Sequence, residues 1–251
     1  MPSECPKCHG TAFELRTDED GVVSAVRCDC NLDRMGRDML RQARIPRRYD
    51  HCTFDEFNIQ PGDTGHVAAK QAVRDWAELW PAVNHGLMLL GPPGTGKTHL
   101  AVAVARELIE TKRARVVFYE QRDLLKSLQG TFDSGGSQRE ADVFGPVQDA
   151  EVLILDDLGA GRTTAWARDV MHDIIAHRYN EQKPLILTSN LDIGDEAPAR
   201  RASARPVEAP LSLKDRLGDA LISRLYEMCK IIHLTGRDFR KTIGQVSRDY
   251  K

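Results

Sequence analysis

The chain has 251 residues, which is enough for one sizeable α/β domain with a small appendage. Its 35 lysines and arginines nearly balance its 37 aspartates and glutamates, which excludes a uniformly basic protein that wraps nucleic acid. No apolar run approaches the roughly 18 to 20 residues that span a bilayer, and the N-terminus lacks the pattern of a secretory signal peptide. We therefore expect a cytoplasmic protein without a membrane partner, whose contacts with nucleic acid are local.

The first thirty residues contain four of the six cysteines. Cys5 and Cys8 form a C-x-x-C pair, and Cys28 and Cys30 form a C-x-C pair. An Asp-Gly turn between two short strand-like runs predicts a hairpin that brings the pairs together. Four thiolates are a common ligand set for tetrahedral Zn²⁺ in structural sites. The sequence predicts a zinc site, with reduced free cysteines or an iron–sulfur cluster as alternatives and His9 as a replacement ligand for one cysteine.

A basic amphipathic helix is predicted at residues 31–44. Apolar residues recur there at helical spacing, and four arginines occupy the remaining surface. Pro46 ends this helix, because proline disfavours the α conformation in the residue before it. We therefore divide the chain into a zinc-binding module with its helix at residues 1–45 and a second domain at residues 46–251.

The second domain alternates between helical and strand-like segments. Helices are predicted at residues 65–80, 98–112, 121–131, 164–180 and 214–229, and buried strands at residues 86–90, 115–119, 152–156, 184–189 and 230–234. Such nearly continuous apolar strands predict an α/β fold, a parallel sheet with helices on both faces. Two stretches, residues 133–138 and 194–210, are predicted to be mobile loops from their Gly, Ser, Ala and Pro content.

A glycine-rich segment joins the first of these strands to the next helix and matches the pattern G-x-x-x-x-G-K-[ST] in full. It consists of Gly91, Pro92, Pro93, Gly94, Thr95, Gly96, Lys97 and Thr98, and the adjoining His99 is assigned to the same nucleotide-binding segment. The glycines let successive backbone N–H groups converge on an anion, and the helix adds its positive N-terminal end. We expect Lys97 to reach the β- and γ-phosphates of ATP and Thr98 to give Mg²⁺ a hydroxyl ligand.

A second phosphate-transfer element is predicted where the apolar strand at residues 152–156 ends in Asp156 and Asp157. Asp156 is expected to hold Mg²⁺ through water. Asp157 takes the place where many ATPases have a glutamate that polarises the attacking water. Its side chain is one methylene shorter, so we predict slow hydrolysis. The alternative is a strand end whose carboxylates merely face solvent.

With these two elements placed, the chain from about residue 46 onward resembles the DnaC/IstB-like branch of the AAA+ ATPases. The resemblance is carried by the phosphate loop, the lead-in TFDEF at residues 53–57, the sequence DDLG at residues 156–159 and the strand LTSN at residues 187–190. It implies an AAA+ P-loop core with a minimal C-terminal lid. It also implies that Asn190 is the sensor 1 residue near the γ-phosphate, the alternative being a residue that starts a turn.

The resemblance further implies roles for two arginines. The segment at residues 218–225 resembles the arginine-finger helix, which implies that Arg224 is presented to the ATP of a neighbouring subunit and that the chain self-associates on this side. Arg216 is the competing candidate. Arg240 aligns with the sensor 2 arginine, and its neighbour Arg237 competes for that assignment. A guanidinium in such a place neutralises charge on the transferring phosphoryl group, whereas the alternative is a solvated helix charge.

Three functions fit this sequence. The first is a helicase loader that docks on the hexameric replicative DNA helicase through residues 1–45, as the resemblance implies, and helps place it on single-stranded DNA. Contacts with that DNA are expected from basic residues around residues 124–132 and from Arg200, Arg201 and Arg205. The second is a transposition helper that binds DNA and recruits a transposase. The third is an ATP-binding adaptor with little hydrolysis, which the aspartate in place of glutamate favours.

Overall fold

The computed structural model describes residues 5–133, 137–161, 164–194, 211–236 and 238–240, with side chains described outside residues 131–140. Several expectations lie outside these residues. They are the loop at residues 195–210 with Arg200, Arg201 and Arg205, the competing sensor 2 candidate Arg237, and the last residues of the lid at 241–251. In the part of the chain that is described, no helix combines the length and the apolar character needed to cross a bilayer.

The N-terminal hairpin has the predicted form. Strands β1 (Phe13–Thr17) and β2 (Val23–Arg27) pair antiparallel, with Phe13 opposite Arg27. Asp18 closes the turn between them, since its side chain accepts a 2.8 Å hydrogen bond from the backbone N–H of Val22. Helix α1 (Asp29–Gln42) follows directly and carries the arginine-rich surface. A short 3₁₀ turn, Arg47–Tyr49, then leads from the module to the core.

The core contains a five-stranded parallel sheet, which confirms the predicted fold class. Its strands are β3 (Gly86–Leu90), β4 (Val116–Glu120), β5 (Val152–Asp156), β6 (Leu185–Ser189) and β7 (Cys229–His233). They lie in the order β4-β5-β6-β3-β7. Every residue of β3, β5 and β6 is buried, as expected for strands covered on both faces.

Helices cover both faces of this sheet. They are α2 (Thr64–Leu79), α3 (Lys97–Glu107), α4 (Gln121–Asp133), α5 (Ser137–Asp149), α6 (Ala165–Asn180), α7 (Leu213–Leu217) and α8 (Asp219–Met228), and a π-helical turn, Leu108–Lys112, extends α3. One apolar cluster includes Trp76 of α2 and Leu100 of α3, and a second includes Met171 of α6 and Leu221 of α8. The sheet therefore has an apolar layer on each side.

Two predictions about the elements were wrong. The Gly/Ser-rich stretch at 133–138 was predicted to be a loop, but residue 133 ends α4 and residues 137 and 138 begin α5, which was not predicted. Gly145 and Pro146 disfavour a helix locally, but Val147 of α5 packs into the same apolar cluster as Leu128 of α4. The helix predicted at 214–229 is divided into α7 and α8, because Gly218 has a φ of +88° that no helix contains.

Candidate functional site

The phosphate loop connects β3 to α3 at the carboxyl edge of the sheet, where ligands of open parallel sheets bind. Gly94 and Gly96 have φ angles of +79° and +89°, which L side chains rarely adopt. A Cβ at Gly94 would overlap the carboxylate of Asp238, and one at Gly96 would overlap the ring of Phe57. Both the backbone conformation and the packing therefore require glycine at these positions.

Lys97 lies under the loop and is only 6% exposed. Its Nζ donates 2.7 Å hydrogen bonds to the carbonyl oxygens of Gly91 and Pro92. Burial lowers the pKa of Lys97 to about 8, although the nearby carboxylates of Asp157 and Asp156 oppose this shift. A polyanion bound in the loop would favour the protonated form of the same amine. The position is the one expected for a lysine that holds the phosphates of ATP.

Asp156 and Thr98 meet across the edge of the sheet. Asp156 Oδ1 accepts hydrogen bonds from Thr98 Oγ1 at 2.7 Å and from Thr188 Oγ1 at 2.6 Å. Burial raises the pKa of Asp156, and these two hydrogen bonds oppose that shift. A carboxylate beside a hydroxyl offers the hard oxygen ligands that Mg²⁺ requires. This donor set fits a magnesium ion that accompanies the phosphates.

Asp157 and Asn190 form a second pair beside the first. Asn190 Nδ2 donates a 2.6 Å hydrogen bond to Asp157 Oδ1, so the two residues predicted to act on the attacking water are in contact. Asp157 has a φ of +57°, and its backbone N–H donates to Thr188 Oγ1 at 2.9 Å. The strand ends of β5 and β6 are therefore joined by one short network.

Thr188 is the centre of that network, and our sequence analysis did not assign it a role. Its hydroxyl donates to the side chain of Asp156 and accepts from the backbone of Asp157. The available signal was a polar residue within an otherwise apolar strand, since a fully buried hydroxyl needs partners. What the sequence could not supply was that β5 and β6 are neighbours.

A buried histidine supports the phosphate loop through the carbonyl oxygen of Thr95. His66 is 1% exposed and lies 2.6 Å from Asp63 through Nδ1 and 3.0 Å from the carbonyl oxygen of Thr95 through Nε2. Since a carbonyl oxygen only accepts, Nε2 carries the hydrogen. The hydrogen bond from the backbone N–H of His66 lowers the pKa of Asp63. Sequence reasoning missed this pair, because the contact joins the start of α2 to a loop 29 residues away.

The C-terminal segment returns to the phosphate loop. The backbone N–H of Phe239 donates to the carbonyl oxygen of Gly94 at 3.1 Å, and the ring of Phe239 lies edge-on to His66. Arg240 lines the same cavity as Lys97 and Asp157. The structure therefore brings the predicted sensor 2 arginine to the site.

Arg224 lies elsewhere. It is half-buried on α8, where its Nη1 lies 2.7 Å from His172 Nε2, and it does not line the cavity. A residue presented to a neighbouring subunit would also stand apart from its own cavity. The competing candidate Arg216 is engaged within its own chain, since it donates to the carbonyl oxygen of Gly161 in the loop after Asp157.

The phosphate loop, the two aspartates, Asn190 and Arg240 line a cavity of about 560 Å³. Its wall includes a segment to which our sequence analysis assigned no role, namely Arg48, Tyr49, His51 and Cys52. Arg48 stacks over the Tyr49 ring at 4.7 Å and pairs with Glu120 at 3.2 Å. The predicted nucleotide residue His99 lies on the cavity wall with this segment, and its Nε2 is 2.8 Å from the carbonyl oxygen of Thr53. The cavity thus has aromatic and imidazole groups as well as its phosphate loop.

The four predicted zinc ligands converge in the N-terminal module. Cys5 Sγ lies 3.8 Å from Cys28 Sγ, and Cys8 Sγ lies 3.5 Å from Cys30 Sγ. A tetrahedral ion with Zn–S bonds of about 2.3 Å requires sulfurs about 3.8 Å apart, and a disulfide requires about 2.05 Å. All four thiols are free and mutually within 4.8 Å, so they fit a four-thiolate ion. His9 does not belong to this group of ligand atoms.

Two relatives, one from Bacillus subtilis and one from Geobacillus stearothermophilus, resemble this chain over most of its length. It is 27% identical over 235 residues to the phage-like element PBSX protein XkdC of Bacillus subtilis strain 168, covering 90% of this chain and 79% of that protein. It is 28% identical over 203 residues to the ATP-binding protein ascribed to insertion sequence IS5376 of Geobacillus stearothermophilus, covering 80% and 72%.

Among solved structures, the crystal structure of the DnaC helicase loader matches with a TM-score of 0.63 at 30% identity, covering 75% of this chain and 99% of that one. That match confirms the AAA+ P-loop core. The model of the IstB-like ATP binding protein family matches residues 24–246. This chain therefore belongs to the IstB-like ATP-binding proteins, within the DnaC/IstB-like AAA+ ATPases.

Proposed function

We propose that this protein is an ATP-dependent helicase loader, which docks on the hexameric replicative DNA helicase and helps place it on single-stranded DNA. One observation carries the proposal: the cavity around the phosphate loop is joined through α1 to a separate four-cysteine module. The backbone N–H of Phe118, in β4 at the edge of the core sheet, donates to the carbonyl oxygen of Ala43, just after α1, at 2.8 Å. The likeness to a solved helicase loader over nearly all of that structure supports the same function.

The cavity suggests how ATP and Mg²⁺ are held. The phosphates would lie in the loop at residues 91–98 with Lys97 beside them, and Thr98 and Asp156 would hold the metal. Bound Mg²⁺ would neutralise part of the charge on the phosphates. Arg240 would contact the phosphates from the C-terminal segment that packs on Gly94.

The pair Asp157 and Asn190 accounts for the chemistry we propose. Asp157 would orient the attacking water, and Asn190 would hold that carboxylate in place, since the two are hydrogen-bonded at 2.6 Å. Because the aspartate is short and already engaged, we expect slow hydrolysis that a partner or DNA stimulates.

Asp157→Asn tests this assignment. We expect the variant to bind ATP normally and to lose measurable turnover, as single-turnover assays with radiolabelled ATP would report. Equal turnover in the variant and the unmodified protein would overturn the role of Asp157. No turnover in either would favour an ATP-binding adaptor.

We further propose that Arg224 completes the site of a neighbouring protomer. Its position on α8, away from its own cavity, is compatible with action in trans. Mixing Arg224→Ala protein with Asp157→Asn protein should restore turnover, because a mixed assembly contains interfaces with one intact site and one intact finger. Arg216→Ala is the matched comparison. If Arg216→Ala protein gives this complementation and Arg224→Ala protein does not, Arg216 is the finger.

Helicase binding is the direct test of the loader function. Tagged protein loaded with zinc and ATP should retain the replicative helicase of its host, and Cys8→Ser should abolish this retention because it disrupts the four-cysteine module. Cys229→Ala removes a buried thiol outside the module and serves as the control. The loader function is wrong if the intact protein retains no helicase.

DNA contact is proposed to be local. Lys126 is exposed on α4, within the basic stretch expected to contact single-stranded DNA. Its contact would be salt-sensitive, since phosphate neutralisation releases counterions.

A transposition helper is the second candidate, and the family to which the chain belongs favours it, together with the relative from an insertion sequence. Such a protein would form ATP-dependent filaments on duplex DNA and retain a transposase. Electron microscopy of the protein with duplex DNA and ATP separates the two functions, because a loader would remain unassembled on duplex DNA.

A further inference from the structure

Three potential metal ligands gather on one wall of the nucleotide cavity, apart from the four-cysteine module. His51, Cys52 and His99 each place one ligand atom within 4.8 Å of the other two. Cys52 Sγ lies 3.9 Å from His51 Nε2, and the rings of His51 and His99 meet edge-on at 6.1 Å. Nothing in the phosphate chemistry described above requires a thiol and two imidazoles at this place.

His99 is held in the tautomer that a metal ligand needs. Its Nε2 lies 2.8 Å from the carbonyl oxygen of Thr53, which only accepts, so Nε2 carries the hydrogen. In this tautomer of the neutral ring the lone pair is on Nδ1. Histidines that bind metals commonly donate their other N–H to a backbone carbonyl in this way.

The ligand set selects a particular class of ion. One thiolate with two imidazoles is typical of Zn²⁺ and other thiophilic divalent cations, and three protein ligands leave a fourth position open. Tetrahedral coordination would bring the ligand atoms to about 3.4 to 3.6 Å from one another. The required approach from 4.8 Å or less is small, and the side chain of His51 is exposed.

We propose that His51, Cys52 and His99 form a second, three-ligand site for Zn²⁺ or a similar thiophilic ion, with its open position facing the cavity. On binding, the S–H bond of Cys52 breaks, its proton passes to solvent and a sulfur–metal bond forms. The ion and the nucleotide then compete for the same wall. This competition rests on the proposed position of ATP, whereas the metal site itself does not.

Cobalt titration of the full-length protein tests the site. The four-cysteine module is first loaded with Zn²⁺, and Co²⁺ is then added while zinc release is monitored. We expect one further equivalent to bind, with a sulfur-to-cobalt charge-transfer band and the ligand-field intensity of a tetrahedral ion. Cys52→Ser should remove the charge-transfer band and weaken cobalt binding by about 100-fold or more. Losing a direct ligand reduces metal affinity more than losing a contact that only supports a ligand.

Two further variants keep the test decisive. His51→Ala changes an exposed side chain, so it should fold normally and still weaken cobalt binding. Cys229→Ser removes a buried thiol elsewhere and should leave the titration unchanged. The site does not exist if the intact protein binds no further equivalent, or if Cys52→Ser and His51→Ala bind cobalt as the intact protein does.

Competition with nucleotide needs its own control, because ATP chelates cobalt in solution. Mg-ATP should release cobalt from the intact protein at lower concentration than from Lys97→Ala, in which nucleotide binding is expected to be lost. Equal release from both proteins would mean chelation alone and would overturn the competition. A separate titration measures Mg-ATP binding in the absence of cobalt. If Mg-ATP binds there but does not displace cobalt, the competition is wrong. If Mg-ATP does not bind at all, the proposed nucleotide site is wrong.

Discussion

The four-cysteine module and the ATPase core are stabilised by different means. In β3, β5 and β6 of the core every residue is buried, whereas β1 and β2 of the module contain no buried residue. Phe13 and Leu15 on β1 remain 48% and 76% exposed. Apolar burial therefore holds the core, and the hairpin of the module lacks that source of stability, although Ala43 just after α1 is part of the core cluster.

The two regions should therefore need different things to fold, a metal ion for the hairpin and apolar packing for the core. A hairpin without a core needs a metal to fold, as small metal-stapled units do. Its exposed apolar residues are then available for a partner, which agrees with the proposed docking role. The core should fold and bind nucleotide whether or not the module holds its ion, and the following predictions test that independence.

Removing the metal should have the largest effect, and it should be confined to one region. Cys8→Ser should release zinc and unfold residues before the core, because structural zinc contributes on the order of 10 kcal/mol to small modules. Limited proteolysis should then cleave within residues 5–42, while the affinity for Mg-ATP stays within about twofold. Cys229→Ala should retain zinc. Loss of ATP binding in Cys8→Ser would contradict the independence of the regions.

Lys97→Ala should impair nucleotide binding in the core and leave the four-cysteine module intact. The variant loses the buried ammonium beside the phosphate loop, so its affinity for a fluorescent ATP analogue should fall by about 100-fold or more. Its zinc content should not change. Lys126→Ala removes an exposed lysine and should bind the analogue normally. A zinc-free Lys97→Ala protein would show that the two regions fold together.

Thr188→Val should have an intermediate effect, confined to the catalytic step in the core. The substitution keeps the shape but leaves the partly buried N–H of Asp157 and the buried carboxylate of Asp156 without a shared hydroxyl, which costs about 1 to 3 kcal/mol. We expect turnover to fall by about 10- to 100-fold in a single-turnover assay. Thr188→Ser retains the hydroxyl and should restore most of the activity. Equal loss in both variants would indicate a packing role only.

A pH series should give the smallest effect. Lys97 in the free protein has a pKa of about 8, and bound phosphates favour its protonated form. Above pH 8 the amine must therefore regain a proton when Mg-ATP binds. The affinity for Mg-ATP should fall by about tenfold between pH 8 and a pH slightly above 9. Fluorescence titrations across this range measure the slope. Lys97→Arg keeps its charge and should bind with a flat profile.

The same lysine has a predictable effect on stability. Its folded pKa lies below its unfolded value of 10.5, so the unfolded chain binds more protons between these two values. The contribution of Lys97 to the free energy of unfolding should consequently rise with pH from about 8 to 10.5. Nucleotide affinity changes in the opposite direction over this range.

Local patterns were sufficient for much of the fold. The succession of strands and helices along the chain follows from apolar periodicity. The phosphate loop follows from the glycine spacing between a strand and a helix. Helix α5 was missed because Gly145 and Pro146 are poor helix formers, while the contacts of Val147 that stabilise this helix come from other elements. Propensity is a local quantity, and packing overrides it.

Side-chain chemistry and backbone freedom belong to each residue, so the residues that can carry charge, bind metals or form a phosphate loop could be identified without a structure. Three contacts required the folded chain: Thr188 bridges two aspartates, His66 supports Thr95, and the segment around Tyr49 lines the cavity. These contacts depend on tertiary packing, of which the strand order β4-β5-β6-β3-β7 is the clearest case. It makes neighbours of segments that lie far apart along the chain, and the energies that select this order are summed over the whole core.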